Sequence, residues 1–391
     1  MGMRTVSVVT GTRAEYGLLK SVMREIERRE AMQLHTIVTG AHLDPRHGET
    51  WREIAGDGFA IDARVPILDG DSFEAVAGSV GRAVQGIASA LAGAGPDACV
   101  VLGDRYEAFA AVTAAYLLRI PVAHIGGGEL TEGALDDGLR HAMTKLSHWH
   151  FASAGEYRRR ILQLGEEPER VHDVGALGAD SVRTTDYLTR EALAVSLEVT
   201  LGDPFVVVTF HPVTLDEDGG VREVEELLAA LEQTGVYALF TMPNADPCTD
   251  AVASRIIEFV ESRPDHAAAF ASLGQQRYLS AVAHAAAVVG NSSSGIIEAP
   301  ILGVPTVNIG ERQDGRLRAA SIIDCPGEAV AIAGALARAL SPVFREAARL
   351  VVSPYGDGHA AERIVAILAD HFEQGADLHK RFFDLPHVEE A

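Results

Sequence analysis

Carboxylates, arginines, a histidine and a run of serines recur in this chain directly after short apolar stretches. Asp104-Arg105 follows Ala98-Cys99-Val100-Val101-Leu102, a place where a carboxylate has few packing reasons to exist; the plain reading is a helix N-cap and the other a functional group. Glu129, Glu132, Asp136 and Asp137 crowd a glycine-rich turn, and Arg140 and His141 follow at helical spacing. If a helix begins near Ala134, Asp136 and Arg140 share a face and can pair. So many acids together can divide acid and base roles, because like charges push their pKa values apart. They can equally be a solvated helix start. His211, between an apolar run and Pro212, is hard to explain as packing and reads as catalytic or phosphate-binding, whereas His124 and His141 read as structural. Gly11-Thr12-Arg13 has neither the dinucleotide fingerprint nor P-loop spacing. Its backbone N–H groups and Arg13 could still hold phosphate near a helix start, or it is a tight turn. Gly290-Asn291-Ser292-Ser293-Ser294-Gly295 reads as an anion nest or a capped turn, and Glu298, one helical turn past Ser294, could accept ribose hydroxyls.

These residues need a scaffold, and the apolar runs supply it. Thr5 to Thr10 is a β-branched strand, a glycine turn follows, and a helical pattern runs from about Leu18 to Arg29. Further strands are expected at Leu34 to Thr39, Ala98 to Leu102 and Pro121 to Ile125, with a helix over Glu107 to Leu118. The pattern restarts with strands at Phe205 to Phe210, Val236 to Thr241, Ala285 to Val289 and Val304 to Ile309, and a helix over Val221 to Gln233. Two successive strand-helix sets predict two doubly wound α/β domains, 1–183 and 184–370, and a tail, 371–391, with little to bury. Open parallel sheets bind ligands beyond the carboxyl ends of their strands, which is where Arg13, Asp104, Arg105, Glu129, His211, Asn244, Ser292, Ser293 and Arg312 fall. Two such edges facing one another would enclose an interdomain cleft.

The length of 391 residues suits two domains, and 47% apolar residues argue for packed cores rather than disorder. A formal charge of -22 disfavours nucleic acid as a partner, since phosphate repulsion needs a cationic face to offset it. It leaves room for an anionic small molecule, which needs only a few converging arginines. Cys99, Cys248 and Cys325 are too far apart for a metal-ligand run or a disulfide framework, and no metal is expected. No basic-then-apolar leader is visible and no apolar run reaches the roughly 20 residues a bilayer requires, so no membrane partner and a cytoplasmic location are expected.

Taken together, the strings GTRAEYG at 11–17, GDRYE at 103–107, GGGELTEGALDDGLRHAMTK at 126–145, FHP at 210–212, MPNAD at 242–246, GNSSSGIIE at 290–298 and NIGERQ at 308–313 resemble the UDP-N-acetylglucosamine 2-epimerase family. They look most like its hydrolysing branch. The resemblance implies two Rossmann-like domains in a glycosyltransferase-B-type arrangement, no cofactor, a UDP-sugar substrate, and a homodimer or homotetramer. It implies that Ser292 and Ser293 hold the diphosphate, that Glu298 binds ribose, and that Arg13 and Arg312 lie around the phosphates and uridine. It likewise implies that His211 supports departure of the leaving group, that Asp104 and Asp136 serve proton transfers at the sugar, and that Arg105 and Arg140 orient that region. The family carries a carboxylate just before the glycine pair, where this chain has Gly126; its duty would pass to Glu129 or Glu132.

The implied chemistry removes the C2 proton as the C1 diphosphate leaves, giving a glycal, then adds water to C1 and reprotonates C2 on the opposite face. The competing readings are a non-hydrolysing epimerase, a glycosyltransferase of the same fold, and a binding protein that lost the chemistry. The GALDD string favours the hydrolysing branch, and the acids of 129–137 would gain a pure diphosphate binder nothing.

Overall fold

Residues 2–70, 72–131, 135–212, 220–243, 249–375 and 377–385 are described by a computed structural model. Seven parallel strands form the first sheet: β1 (Arg4–Thr10), β2 (Met32–Thr39), β3 (Ala63–Val65), β4 (Ala98–Leu102), β5 (Val122–Ile125), β6 (Trp149–Ala152) and β7 (Val171–Asp173). Their spatial order is β3-β2-β1-β4-β5-β6-β7, so the chain winds outward from β1 in one direction and then from β4 in the other. A strand covered on both faces must be apolar on both, as in the Val-rich β1 and the Ala-Cys-Val-Val-Leu run of β4. On one face Val6, Val8 and Val100 pack with Leu19, Val22 and Ile26 of helix Arg13–Glu27. On the other, Val9, Cys99 and Val101 pack with Ile87 and Leu91 of helix Phe73–Ala94 and Ala111 and Ala115 of helix Tyr106–Leu117.

The second sheet repeats the plan with six parallel strands: β8 (Phe205–Thr209), β9 (Tyr237–Thr241), β10 (Ala267–Phe270), β11 (Ala287–Gly290), β12 (Thr306–Ile309) and β13 (Ile322–Cys325). Its order is β10-β9-β8-β11-β12-β13. Val206, Val208 and Val289 face helix Val221–Thr234 through Val224, Leu227 and Leu231, and helix Ala329–Leu340 through Ile332 and Leu336. Val207 and Val288 face Leu193, Leu197 and Val282. Both doubly wound α/β units are therefore as expected. Five strands, β3, β6, β7, β10 and β13, lie outside the sequence expectation; each is only three or four residues long, and Val171–Asp173 is largely polar.

The division along the chain differs from the linear reading. One unit comprises the residues up to Glu129, Asp136–Asp180 and those from Tyr355 on; the other comprises Leu130–Leu135 and Ser181–Pro354. Residues 355–370 thus belong to the first unit, not to the second domain expected at 184–370. The cause is helix Ala360–Gln374, which buries Ile364, Val365, Leu368 and Phe372 in the same core as helix Arg13–Glu27. Its first two N–H groups, Ala360 and Ala361, donate to the two oxygens of buried Asp180, both at 2.9 Å, which anchors the returning chain. The tail is also held. Lys380 donates to the carbonyls of Lys145 and Ser147 and pairs with buried Glu166 at 2.7 Å, and Phe383 N donates to Gly165 O at 2.9 Å.

Candidate active site

In each sheet the winding reverses between two adjacent strands, β1 and β4 in the first, β8 and β11 in the second. At such a point the following helices leave to opposite faces and their loops part, opening a crevice at the carboxyl edge. Arg13 follows β1 and Asp104-Arg105 follows β4; His211 follows β8 and Ser292-Ser293 follows β11. The sequence candidates therefore fall beside both switch points.

In the first unit the centre is Arg140, on helix Leu135–Leu146 and only 1% exposed. Its guanidinium is ion-paired to Asp104, donates to Glu129 O at 2.9 Å and reaches Asp137 at 3.3 Å. Asp137, three residues earlier on the helix, is thus a partner of Arg140, and Asp136 lies in the same first turn. Glu129 is also buried, and Ser153 Oγ donates to its Oε1 at 2.7 Å. The turn carrying Asp104 is fixed from behind. His124 on β5 bonds Gly103 O through Nε2 at 2.8 Å, and its Nδ1 meets Thr144 Oγ1 at 3.3 Å. Burial holds His124 down at about 4, so it is neutral at pH 7 and structural, as expected. Gly128, at φ +78, passes so close to the chain that a Cβ there would lie 2.3 Å from Tyr157 O, and Arg160 bonds its carbonyl.

Around Arg13 the picture is less open than a phosphate nest. Thr12 is the N-cap of helix Arg13–Glu27, accepting from Glu15 N at 3.4 Å, and Glu15 reaches back to Gly11 N at 2.8 Å. The Gly11 N–H that the sequence offered to phosphate is thus engaged by a carboxyl. Burial pushes that carboxyl up to about 8, with the charge of Glu107 adding to the rise. Behind it His42 bonds Thr10 Oγ1 at 3.1 Å and Thr50 Oγ1 at 2.7 Å, and burial holds it down at about 4.

In the second unit the hub is Asn291, fully buried and absent from the sequence candidates. Its side chain accepts from His211 N at 2.7 Å and donates to His211 O at 2.8 Å, locking the His211 backbone. Its own carbonyl accepts from Arg312 at 3.1 Å and from Gln313 at 2.8 Å. One peptide therefore ties together His211, the serine turn and Arg312. Gly290, at φ +128, makes this approach feasible: a Cβ there would lie 2.0 Å from Thr209 O. Ser292 is the N-cap of the short helix Ser293–Ile296, its Oγ accepting from Ser294 N at 3.4 Å, and Glu298 opens the next helical turn, Glu298–Ile301. Asn244 and Glu132 lie outside the described residues. Among the described residues no group of three His, Cys, Asp or Glu could hold a metal ion, and no helix is long and apolar enough to cross a membrane.

Two doubly wound units with candidate groups at both switch points define a Rossmann-like protein of the glycosyltransferase-B-type fold class, and solved structures agree. UDP-GlcNAc 2-epimerase from Neisseria meningitidis, determined bound to UDP-GlcNAc, superposes with a TM-score of 0.80 at 18% identity, covering 94% of this chain and 100% of that one. The Methanocaldococcus jannaschii UDP-GlcNAc 2-epimerase, in complex with UDP-GlcNAc and UDP, gives 0.79 at 20% identity, covering 94% and 99%. The family profile described as UDP-N-acetylglucosamine 2-epimerase matches residues 24–369. The chain is 36% identical to GDP/UDP-N,N'-diacetylbacillosamine 2-epimerase (hydrolyzing) of Campylobacter jejuni over 98% of its length and 100% of that protein. It is 34% identical to polysialic acid biosynthesis protein P7 of Escherichia coli, over 98% of both. It belongs to the UDP-N-acetylglucosamine 2-epimerase family.

Proposed function

We propose that this enzyme is a hydrolysing 2-epimerase that converts UDP-N-acetylglucosamine and water to N-acetylmannosamine and UDP. The observation carrying this reading is the Asp104–Arg140 pair beside Glu129 and Asp137 at the first switch point. A carboxylate held by a buried guanidinium is fixed in direction, and so positioned it can meet the weakly acidic C2 proton. As the base takes that proton, the electron pair of the C2–H bond forms the C1–C2 double bond of a 2-acetamidoglucal, and the bond from C1 to the diphosphate oxygen breaks with its electron pair passing to that oxygen. UDP departs with the charge. Water then adds its oxygen to C1, and C2 takes a proton on the opposite face. Asp104, Glu129 and Asp136 divide these proton transfers, while Arg105 and Arg140 orient the sugar. His211, Ser292, Ser293 and Arg312 meet the charge developing on the diphosphate, Glu298 accepts the ribose hydroxyls, and Arg13 and Asn244 complete the substrate contacts.

A second substrate is favoured by a specific finding. Relatives at 36% and 32% identity, from Campylobacter jejuni and Legionella pneumophila, are hydrolyzing 2-epimerases of N,N'-diacetylbacillosamine nucleotides. The same elimination and hydration would apply to that sugar, since C1 and C2 are unaltered by a nitrogen at C4. The test is incubation of the enzyme with each UDP-sugar in deuterated water, followed by NMR. Free UDP with deuterium at C2 of the released 2-epimer is expected. An intact UDP-sugar epimer would replace this reading with the non-hydrolysing one, and no turnover of either sugar would overturn it.

A further inference from the structure

We propose that Glu107 is a positioning residue for Arg105, a buried carboxylate that aims the guanidinium at the first switch point. This rests on the reading of Arg105 as a substrate-binding group.

Glu107 lies in the first turn of helix Tyr106–Leu117, where an acid is ordinarily solvated and favoured by the helix dipole. Here it is only 2% exposed. A carboxylate buried to that degree is costly unless a cation meets it, and Arg105 Nε donates to its Oε2 at 3.2 Å. Two glycines make the space. A Cβ at Gly11 would lie 2.9 Å from Glu107 Cβ, and one at Gly40 would lie 3.0 Å from Glu107 Oε1. Those glycines end β1 and begin the loop after β2, so the carboxyl edge of the sheet is hollowed where this side chain sits. Its Oε1 is buried there without a hydrogen-bond partner among the described residues. The carboxyl of the neighbouring Glu15 is pushed up, chiefly by burial and further by the charge of Glu107.

The arrangement has a mate one residue away. Asp104 is tied to buried Arg140, and Arg105 is tied to buried Glu107. Consecutive residues of one turn are thus each held by a partner of opposite charge. The Arg105 guanidinium also stands 5.6 Å from the Tyr106 ring, a second restraint on a long side chain. A guanidinium fixed in advance loses less freedom when it binds, so loss of Glu107 should weaken substrate binding more than the chemical step.

The experiment is a double-mutant cycle on the full-length enzyme, with the UDP-sugar that turns over as substrate: Glu107→Gln, Arg105→Ala and both together. Glu107→Gln is expected to raise KM about tenfold with kcat within about threefold of wild type, and Glu107→Asp to recover part of the loss. Added to Arg105→Ala, Glu107→Gln should have no further effect on kcat/KM, because it acts only through the arginine. Additive losses in the double variant, or a wild-type KM in folded Glu107→Gln, would overturn the proposal while leaving the role of Arg105 intact. A silent Arg105→Ala would instead overturn the substrate-binding reading and the proposal with it. Should Glu107→Gln not fold, the same cycle run with Glu107→Asp decides by the same criterion.

Discussion

Both units share one strand order and one switch-point geometry, yet they fill it with different chemistry. At the first, the side chains are ionisable and packed against each other: Asp104 on Arg140, Arg105 on Glu107, Glu15 on the Gly11 peptide. At the second, amides and hydroxyls dominate, with Asn291 binding the His211 backbone, Arg312 and Gln313. A cluster of ionisable groups can hold and move protons, whereas an array of amide and hydroxyl donors joined by an arginine suits a dianion whose charge changes during the reaction. The difference teaches that the fold supplies two crevices of one construction and that their loops give them different chemical character.

The contrast can be broken by substitution. Asp104→Asn should lower kcat by at least ~100-fold while UDP binding by calorimetry stays unchanged; near-normal turnover would remove Asp104 from the proton chemistry. A pH series on stability comes next. Glu15, raised to about 8, binds a proton in the folded state that the unfolded chain releases near its ordinary 4.5. Its contribution is full below 4.5 and is lost as pH rises through 8, about 2 kcal/mol of it between pH 5.5 and 7. His42 and His124, lowered to about 4, act in the other sense: their contribution is full above 6.5 and is lost as pH falls toward 4. His148 and His172 are lowered to about 4 as well, so denaturant melts of Glu15→Gln should expose the slope of these four histidines, about 1 kcal/mol lost per histidine from pH 7 to 5.5 and less for the part-exposed His172. A flat profile in that variant would show these histidines to be accessible to protons.

Asn291→Ala removes two hydrogen bonds from the His211 peptide and should weaken UDP binding about tenfold, by a route that leaves Asp104 and Arg140 in place. Unchanged UDP affinity would separate the second switch point from the nucleotide. The smallest effect belongs to Lys380→Met. Glu166 keeps Lys145 at 2.5 Å and His150 at 2.9 Å, so a stability loss of only about 1 kcal/mol is expected, read from urea midpoints.

The sequence revealed what depends on local pattern. The Val-rich runs and the glycine or polar residues that follow them, as in Leu102-Gly103-Asp104 and Phe210-His211-Pro212, are within a few positions of one another, and they locate the switch-point loops. What escaped depends on distant pairing. Arg140 and Asp104 are 36 positions apart, so helical spacing could not pair them. Asn291 looked like one more residue of a serine turn, because its role is to meet His211, 80 positions earlier. Glu107 was hidden for the opposite reason: an acid at a helix start needs no explanation until its burial is known. Short strands such as Trp149–Ala152 gave too few residues for a period to emerge.

The return of helix Ala360–Gln374 to the first unit reaches beyond architecture to the order of synthesis. A ribosome releases the residues of the second unit before the helix that completes the first core. The second unit can therefore fold while Leu19, Val22 and Ile26 still wait for Ile364, Val365 and Leu368. Vectorial folding runs backwards here: the unit that is begun first is finished last. A premature stop between Pro354 and Ala360 would leave the first unit unfinished and the second one finished.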